Sequence, residues 1–424
     1  MLNFVRKLSR SAGIQKLGPG LITVAADDDP SGIATYSQAG AQFGFSMLWT
    51  VVFTLPLVMA VQIVSARIGY VTRRGLAANI KASFPRWVLL LCVVGILLLG
   101  NTLNIAADIA AMAEALRLLV GGSTHVYAIT FGLLCLVLQV FLPYQSYVRW
   151  LKWLTLSLLA YVAVVFSLLL DWWHVASEVI RPRLPKGSQG HEVLLMVVAV
   201  FGTTISPYLF FWQAAQEVED SSDSGPHSPR QVRQHLRRIK IDTLIGMTFS
   251  NLIAFFIILS TAATLHAAGV TDIQTSAQAA EALRPLAGEF AFLLFGMGII
   301  GTGLLTVPVL AGSAAYAIAE AAGWQGSLSL RLAKDEGRGF YGVIAAATVG
   351  GVILCFTAAD PEKELFWSAV SNGVIAVPIM VVMMLLATRA QTMGVHTIGP
   401  LLRWLGWLAT AVMAATVVAM LTTR

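Results

Sequence analysis

Charge is scarce in this sequence. Only 12% of its 424 residues are Asp, Glu, Lys or Arg, where a soluble domain carries about 25%. The chain is also 57% hydrophobic, with a mean hydropathy of +0.75. That composition excludes soluble enzymes and soluble binding modules and leaves a polytopic membrane protein. Cysteine is almost as rare. Cys92, Cys135 and Cys355 lie inside apolar runs with no metal-like spacing, so neither a disulfide framework nor a thiolate metal centre is expected, and buried thiols are. The seven histidines, His125, His174, His191, His227, His235, His266 and His396, fall in or near predicted loops. A cleavable signal peptide is not expected. Arg6, Lys7 and Arg10 precede an apolar run, but three aspartates soon break it. The formal net charge of +6 does not indicate a nucleic-acid partner, because its distribution has another cause.

What is present is apolar length. A spanning helix needs about 20 apolar residues. Eleven stretches qualify: 18–44, 46–71, 87–117, 125–142, 150–170, 192–219, 236–266, 289–322, 339–358, 364–388 and 402–421. Residues Ile273 to Ala287 are too polar to span and read as a helical loop. Asp220 to Gln231 is rich in Ser, Asp, Pro and Gly and reads as an exposed loop. With the N-terminus in the cytoplasm, the inside loops hold 21 of the 28 Lys and Arg and the outside ones 7. This bias supports the helix count and the orientation together, with the C-terminus outside a bacterial-type inner membrane. Trp49, Trp87, Trp150, Trp153, Trp172, Trp173 and Trp404 lie near helix ends and read as interfacial anchors.

Two short segments break this apolar pattern. The first is Asp27-Asp28-Asp29-Pro30-Ser31-Gly32 and the second is Gly202-Thr203-Thr204-Ile205-Ser206-Pro207-Tyr208. Carboxylates at membrane depth are costly and mark polar cavities. Proline removes a backbone donor and frees a carbonyl. The breaks fall in the first and sixth stretches. Helices 1–5 (about 18–170) and 6–10 (about 192–388) then form two units of opposite orientation, and 402–421 is an addition. Paired broken helices in an inverted repeat place a substrate site at the bilayer midplane. A proline kink alone is also common without any binding role.

The donor chemistry points to a cation. Asp29 contributes a carboxylate beside the first break, and Thr203, Thr204, Ser206 and Tyr208 contribute hydroxyls at the second. Hard oxygen donors suit Mg²⁺, Ca²⁺ and Mn²⁺. Neighbouring helical residues point about 100° apart, so three aspartates cannot all face one ion. Asp29 is the ligand. Asp28 lines the access path or caps the next half-helix, and Asp27 reads equally as part of the site or as a structural partner. Gln213, Gln216, Glu217 and Glu219 follow the second break. They line an exit or form a solvated helix end.

At these residues the chain resembles the Nramp family of divalent metal transporters. That family carries Gly-Pro-Gly and then Asp-Pro-Gly-Asn in a broken first helix. Here Gly18-Pro19-Gly20 is followed by Asp29-Pro30-Ser31-Gly32 and Gln38-Ala39-Gly40-Ala41. The family's sixth-helix Met-Pro-His is matched by Ser206-Pro207-Tyr208, and its third-helix Asp-x-x-Glu by Asp108-Ile109-Ala110-Ala111. The resemblance covers nearly the whole chain. It implies an all-α integral membrane protein with eleven spanning helices and a LeuT-type 5+5 inverted repeat, importing divalent cations by alternating access, often with protons. Carried over, the ion site is Asp29, the Ala26 and Thr203 carbonyls and Ser206, with Gly32 lining it. Asn372, beside Ser371, stands where the family often places a Gln that contacts the ion; without the resemblance it reads as a contact between helices.

The departures matter as much. The family's thioether is Ser206 and its amide is Gly32, which favours a hard ion that keeps waters, Mg²⁺ or Mn²⁺. The pattern is similar to Nramp-related magnesium transporters, which also lack the Met. The family's His is Tyr208 and its Glu is Ala111. Tyr, with a pKa near 10, does not shuttle protons as His does. Asp28, Asp108, Glu114 and Tyr208 remain as candidates for access or a proton path, with Asp108 and Glu114 also readable as a polar helix contact. No cofactor other than the transported ion is expected, and no nucleic acid; the partners are the ion and the bilayer. The alternatives are a carrier of an organic substrate such as an amino acid on the same fold, or a non-transporting membrane receptor. Three aspartates at the break argue against an anionic substrate, and no large signalling domain argues for a receptor.

Overall fold

The computed structural model describes residues 27–141, 151, 154, 156–181, 190–222, 228–324, 326–328, 337–357 and 360–423. Among these residues the chain is helical, and nine helical stretches are long and apolar enough to cross a membrane. A tenth is counted if the bent pair Leu156–Ser167 and Trp172–Ile180 makes one crossing. One of the nine, Pro30–Thr72, has 43 residues. At about 1.5 Å per residue it is some 64 Å long, twice the hydrocarbon thickness of about 30 Å. It is two passes, divided at Gly44, whose φ of +60° turns the chain. Counted so, the eleven expected crossings are present.

The passes are α1 (Pro30–Phe43), α2 (Leu48–Thr72), α3 (Arg86–Val120), α4 (Thr124–Phe141), α5 (Leu156–Ser167), α6 (Gly190–Thr204) with α7 (Pro207–Ser222), α8 (Pro229–Thr261), α9 (Ala291–Ala322), α10 (Arg338–Cys355), α11 (Pro361–Thr388) and α12 (Pro400–Thr422). Five of these helices open on proline, whose missing N–H costs nothing in a first turn and whose fixed φ suits it. Most boundaries fall within three residues of those expected. The exceptions are α1 and α5, whose described helices start at Pro30 and Leu156 against the expected 18 and 150, and α8, which starts seven residues early. A capping box, in which the Ser228 hydroxyl and the Gln231 side chain bond each other's backbone N–H, begins it at Pro229. The exposed loop expected over Asp220 to Gln231 is therefore shorter than predicted. The helical loop near Ile273 forms two pieces, Ser276–Glu281 and Arg284–Ala287. Gly18-Pro19-Gly20, Trp150 and Trp153 lie outside the described residues; Trp87, Trp172, Trp173 and Trp404 are exposed, as anchors should be.

The two halves of the sixth crossing form the centre. Within the apolar window of Gly190–Ser221 89% of residues are buried, against 28% for α4 and 33% for α10 and α12. Small residues let the central helices approach closely, as packing without a hydrophobic driving force requires. At one end of the bundle, Arg67 donates to the His396 and Thr397 carbonyls, Arg389 to Ser83 and Lys81 to Ala321. At the other, Gln38 bonds the backbone of Thr271 and Ile273, and Ser276 donates to Glu362 at 2.6 Å.

Candidate metal site

Mid-membrane helix ends leave backbone groups without partners. Pro207 has no N–H, so the carbonyl of Thr203, four residues earlier, loses its helical donor. The Ser206 hydroxyl takes that place, 2.8 Å from the Thr203 oxygen and 3.3 Å from that of Gly202. A carbonyl carries two lone pairs, so a second partner is still accommodated. The α6 helix ends here, which turns the negative end of its dipole to the same point. From the other side Asp29 caps α1 with an extended backbone, φ −75° and ψ 167°, its Oδ1 accepting from the Gly32 N–H at 2.6 Å. Thr203 Oγ1 donates to the same Oδ1 at 3.5 Å, and Tyr208 turns its hydroxyl toward this carboxylate. Asp29 Oδ2 accepts no hydrogen bond from the described residues.

Asp29, Thr203, Ser206 and Tyr208 are thus brought together and buried. Gly32 sits against them. A Cβ there would lie 2.9 Å from Thr203 Oγ1 and 3.1 Å from Asp29 Oδ1, so the room expected beside Gly32 is taken up by those two side chains. Ala26 lies outside the described residues. Near the break, Tyr36 bonds Thr204 at 3.1 Å and Ser31 donates to the Leu365 carbonyl at 3.0 Å, tying α1 to its neighbours.

Asp27 and Asp28 converge on one group that the sequence did not reveal. The Ser250 hydroxyl of α8 bridges them, 2.6 Å from Asp27 Oδ2 and 2.9 Å from Asp28 Oδ1. The reading of Asp28 as a helix cap is corrected, since Asp29 is the cap. A single hydroxyl in an apolar helix gives no sequence signal. Its removal should be costly, because unsatisfied buried acceptors lose about 1–3 kcal/mol or more. Ser250→Ala is expected to lower the melting temperature and most of the ion uptake in proteoliposomes, while Ser250→Thr retains both. Parental uptake by the alanine variant would show that the bridge does not position the broken segment.

Asp108 on α3 is fully buried, neither of its oxygens has a hydrogen-bond partner among the described residues, and it lies within Coulombic reach of Asp29. Four carboxylates therefore share this region, and the ion pairs of the described residues lie elsewhere. Buried charge without compensation costs several kcal/mol per ion, so the site calls for positive charge. Among the described residues no three of His, Cys, Asp and Glu converge as a metal cage. A guest would be held by one carboxylate with hydroxyls and carbonyls, a hard donor set.

Two sequence candidates are engaged by other groups. The Asn372 amide accepts from Asn104 Nδ2 at 2.8 Å and donates to Asn104 Oδ1 at 3.2 Å, with Ser368 on the same oxygen. It is the contact between helices, and ion binding would have to break that pair. Glu114 accepts from Arg117 at 2.6 Å, six residues beyond Asp108, or about 9 Å along the helix. The α7 residues do not form a solvated end. Gln213 bonds Gln62, and Glu217, 1% exposed, accepts from His235 at 3.0 Å and Arg238 at 3.5 Å. Arg238 also reaches Asp220 at 3.3 Å. This cluster ties α7 to α8.

Comparison with known proteins bears on the family and the fold. The sequence model of the family described as Nramp, natural resistance-associated macrophage protein-like, matches residues 20–423. The divalent metal cation transporter MntH of Aeromonas hydrophila is 28% identical over 308 residues, covering 71% of this chain and 72% of its own. That of Erwinia tasmaniensis is 29% identical over 312 residues, 69% of each chain. Among solved structures, the manganese transporter of Eremococcus coleocola, bound to an aromatic bis-isothiourea substituted compound, superposes with a TM-score of 0.73 at 18% identity, over 94% of this chain and 84% of its own. MHP1, a nucleobase-cation-symport-1 family transporter, superposes with a TM-score of 0.59 at 16% identity, over 96% and 92%. The two structures show the fold, an all-α, LeuT-type membrane architecture. By the match along nearly its whole length, the chain belongs to the Nramp family.

Proposed function

We propose that this chain carries a divalent metal cation, Mn²⁺ or Mg²⁺, across a membrane by alternating access, with Asp29 as the charged ligand and the Thr203 carbonyl and Ser206 hydroxyl beside it. Members of the Nramp family are transporters, not enzymes. One observation carries the reading: a fully buried Asp29 with an unused carboxylate oxygen, set between a freed carbonyl and three further acids with no basic partner. The relatives named as divalent metal cation transporters support it. An organic carboxylate would meet repulsion where a cation meets attraction.

The broken helices would rock against the rest, as two opposed repeats spanning about 18–170 and 192–388, with 402–421 outside them. A cleft of about 320 Å³ lined by Gln38, Gln42, Glu192, Asp272 and Glu362 opens beside α1 and α6 and supplies access from the end expected to face outward. The Glu217–Arg238 cluster closes the end expected to face the cytoplasm. Asp108 is the group available to carry a proton alongside the ion.

Uptake of Mn²⁺, Mg²⁺ and Ca²⁺ into liposomes holding a pH dye tests this reading, and no uptake of any of them would end it. Ser206→Met, which puts a thioether beside Asp29, is expected to shift preference toward softer transition metals. An unchanged ion ranking would remove Ser206 from the ligand set.

A further inference from the structure

Helix α8 starts well before the apolar part of its span. Its first three turns carry Arg230, Arg233, Arg237 and Lys240, at spacings of three, four and three, so four cations share one face. All four are exposed, and among the described residues none pairs with a carboxylate. The ion pairs of these turns are made by His235 and Arg238, which point to Glu217, Asp220 and Asp242 from the opposite side. A third side, Val232, Leu236 and Ile239, packs on Ala66 and Tyr70 of α2. The helix is therefore held in rotation, and the cations cannot turn inward. The line through Arg230 and Arg237 continues at helical spacing into Ile241. Ile241, Ile245, Phe249 and Leu252 beyond it are 41–49% exposed, apolar side chains that lipid covers in a membrane.

We infer that this stripe is a docking surface for the headgroups of anionic phospholipid. A row of cations continuous with a lipid-facing apolar row meets the bilayer at the depth of the headgroup phosphates, and basic clusters beside a spanning helix attract anionic lipid. Three of the four cations are arginines, whose planar fork grips a phosphate with paired hydrogen bonds. The four cover about 15 Å of helix axis, room for more than one headgroup. The same turns hold Glu217 and Asp220 on their other side, so lipid on the stripe would also steady α7, the second half of the broken helix.

The test is lipid selectivity, which needs no ion flux and stands apart from the transport reading. The full chain is reconstituted in phosphatidylcholine vesicles, and its association with spin-labelled phosphatidylglycerol is measured against spin-labelled phosphatidylcholine. The parent is expected to prefer phosphatidylglycerol several-fold, with the preference weakened by salt. The variant Arg230→Gln/Arg233→Gln/Arg237→Gln/Lys240→Gln is expected to lose most of it, and the two double variants to lose part. Arg74→Gln/Arg86→Gln, which removes exposed charge elsewhere, should keep it. The inference is overturned by a quadruple variant with parental selectivity, or by an equal loss in the Arg74/Arg86 control. It is also overturned if soluble triphosphate abolishes the preference by occupying the stripe, which would mark a site for a soluble polyanion.

Discussion

Uptake of every divalent ion is expected to vanish when Asp29 becomes alanine, and to vanish equally when it becomes asparagine. The two variants separate two roles of one side chain. Asp29 Oδ1 caps α1 through the Gly32 N–H. Alanine cannot do this, and loss of such a cap costs about 0.5–2 kcal/mol. Asparagine caps about as well as aspartate, so Asp29→Asn should melt close to the parent. It nevertheless removes the negative charge nearest the freed Thr203 carbonyl. Removing a mere outer partner of a metal ligand costs a site roughly 10–100-fold in affinity or activity, and losing the ligand's own charge should cost more. The expected result is a folded Asp29→Asn protein with background uptake of Mn²⁺, Mg²⁺ and Ca²⁺ in proteoliposomes. Near-parental uptake by that variant would mean that Asp29 is a cap and nothing else, and the ion site would have to be sought at Asp108 or at the Asp27–Ser250–Asp28 bridge.

The breaks were legible because they violate the rules of their surroundings. Three aspartates and a proline in an apolar run cost energy that only a partner can offset, and the structure gathers Asp29, Thr203, Ser206 and Tyr208 as their positions indicated. The partners were not legible. Ser250 lies more than 220 residues from Asp27 and Asp28, and Asn104 lies 268 residues from Asn372. Such pairings leave no periodicity in a sequence, since a lone polar residue in an apolar helix looks the same with or without its partner. Glu217 and its neighbours read as a solvated helix end for a related reason. Their partners, His235 and Arg238, sit on the first turns of α8, at the edge of the stretch expected to span, and reach them from about 18 residues away. The Ser228/Gln231 capping box is the sequence signal for the earlier start of that helix.

Gly202→Ala should be strongly damaging for a change of a single carbon. A Cβ at Gly202 would lie 2.1 Å from the Ala369 carbonyl oxygen and 2.4 Å from the Gly373 nitrogen of α11. Both are backbone atoms and cannot swing aside, so α6 must move away from α11 as a body. Overpacking of this kind costs about 1–3 kcal/mol. The larger effect is positional. Thr203 is the next residue, its carbonyl faces the proposed ion, and a working site tolerates displacements of only about 0.5 Å. Gly342 on α10 provides the comparison, because a Cβ there meets nothing within 4 Å. Alanine at that position should be neutral or stabilising by up to about 1 kcal/mol through helix propensity. The expected pair of results is a Gly202→Ala protein with a lower melting temperature and little uptake, beside a Gly342→Ala protein that matches the parent in transport. If both variants transported alike, the contact of α6 with α11 would not be what fixes the Thr203 carbonyl. The geometry of the site would then have to come from the α1 side alone, through Tyr36 on Thr204 and Ser31 on Leu365.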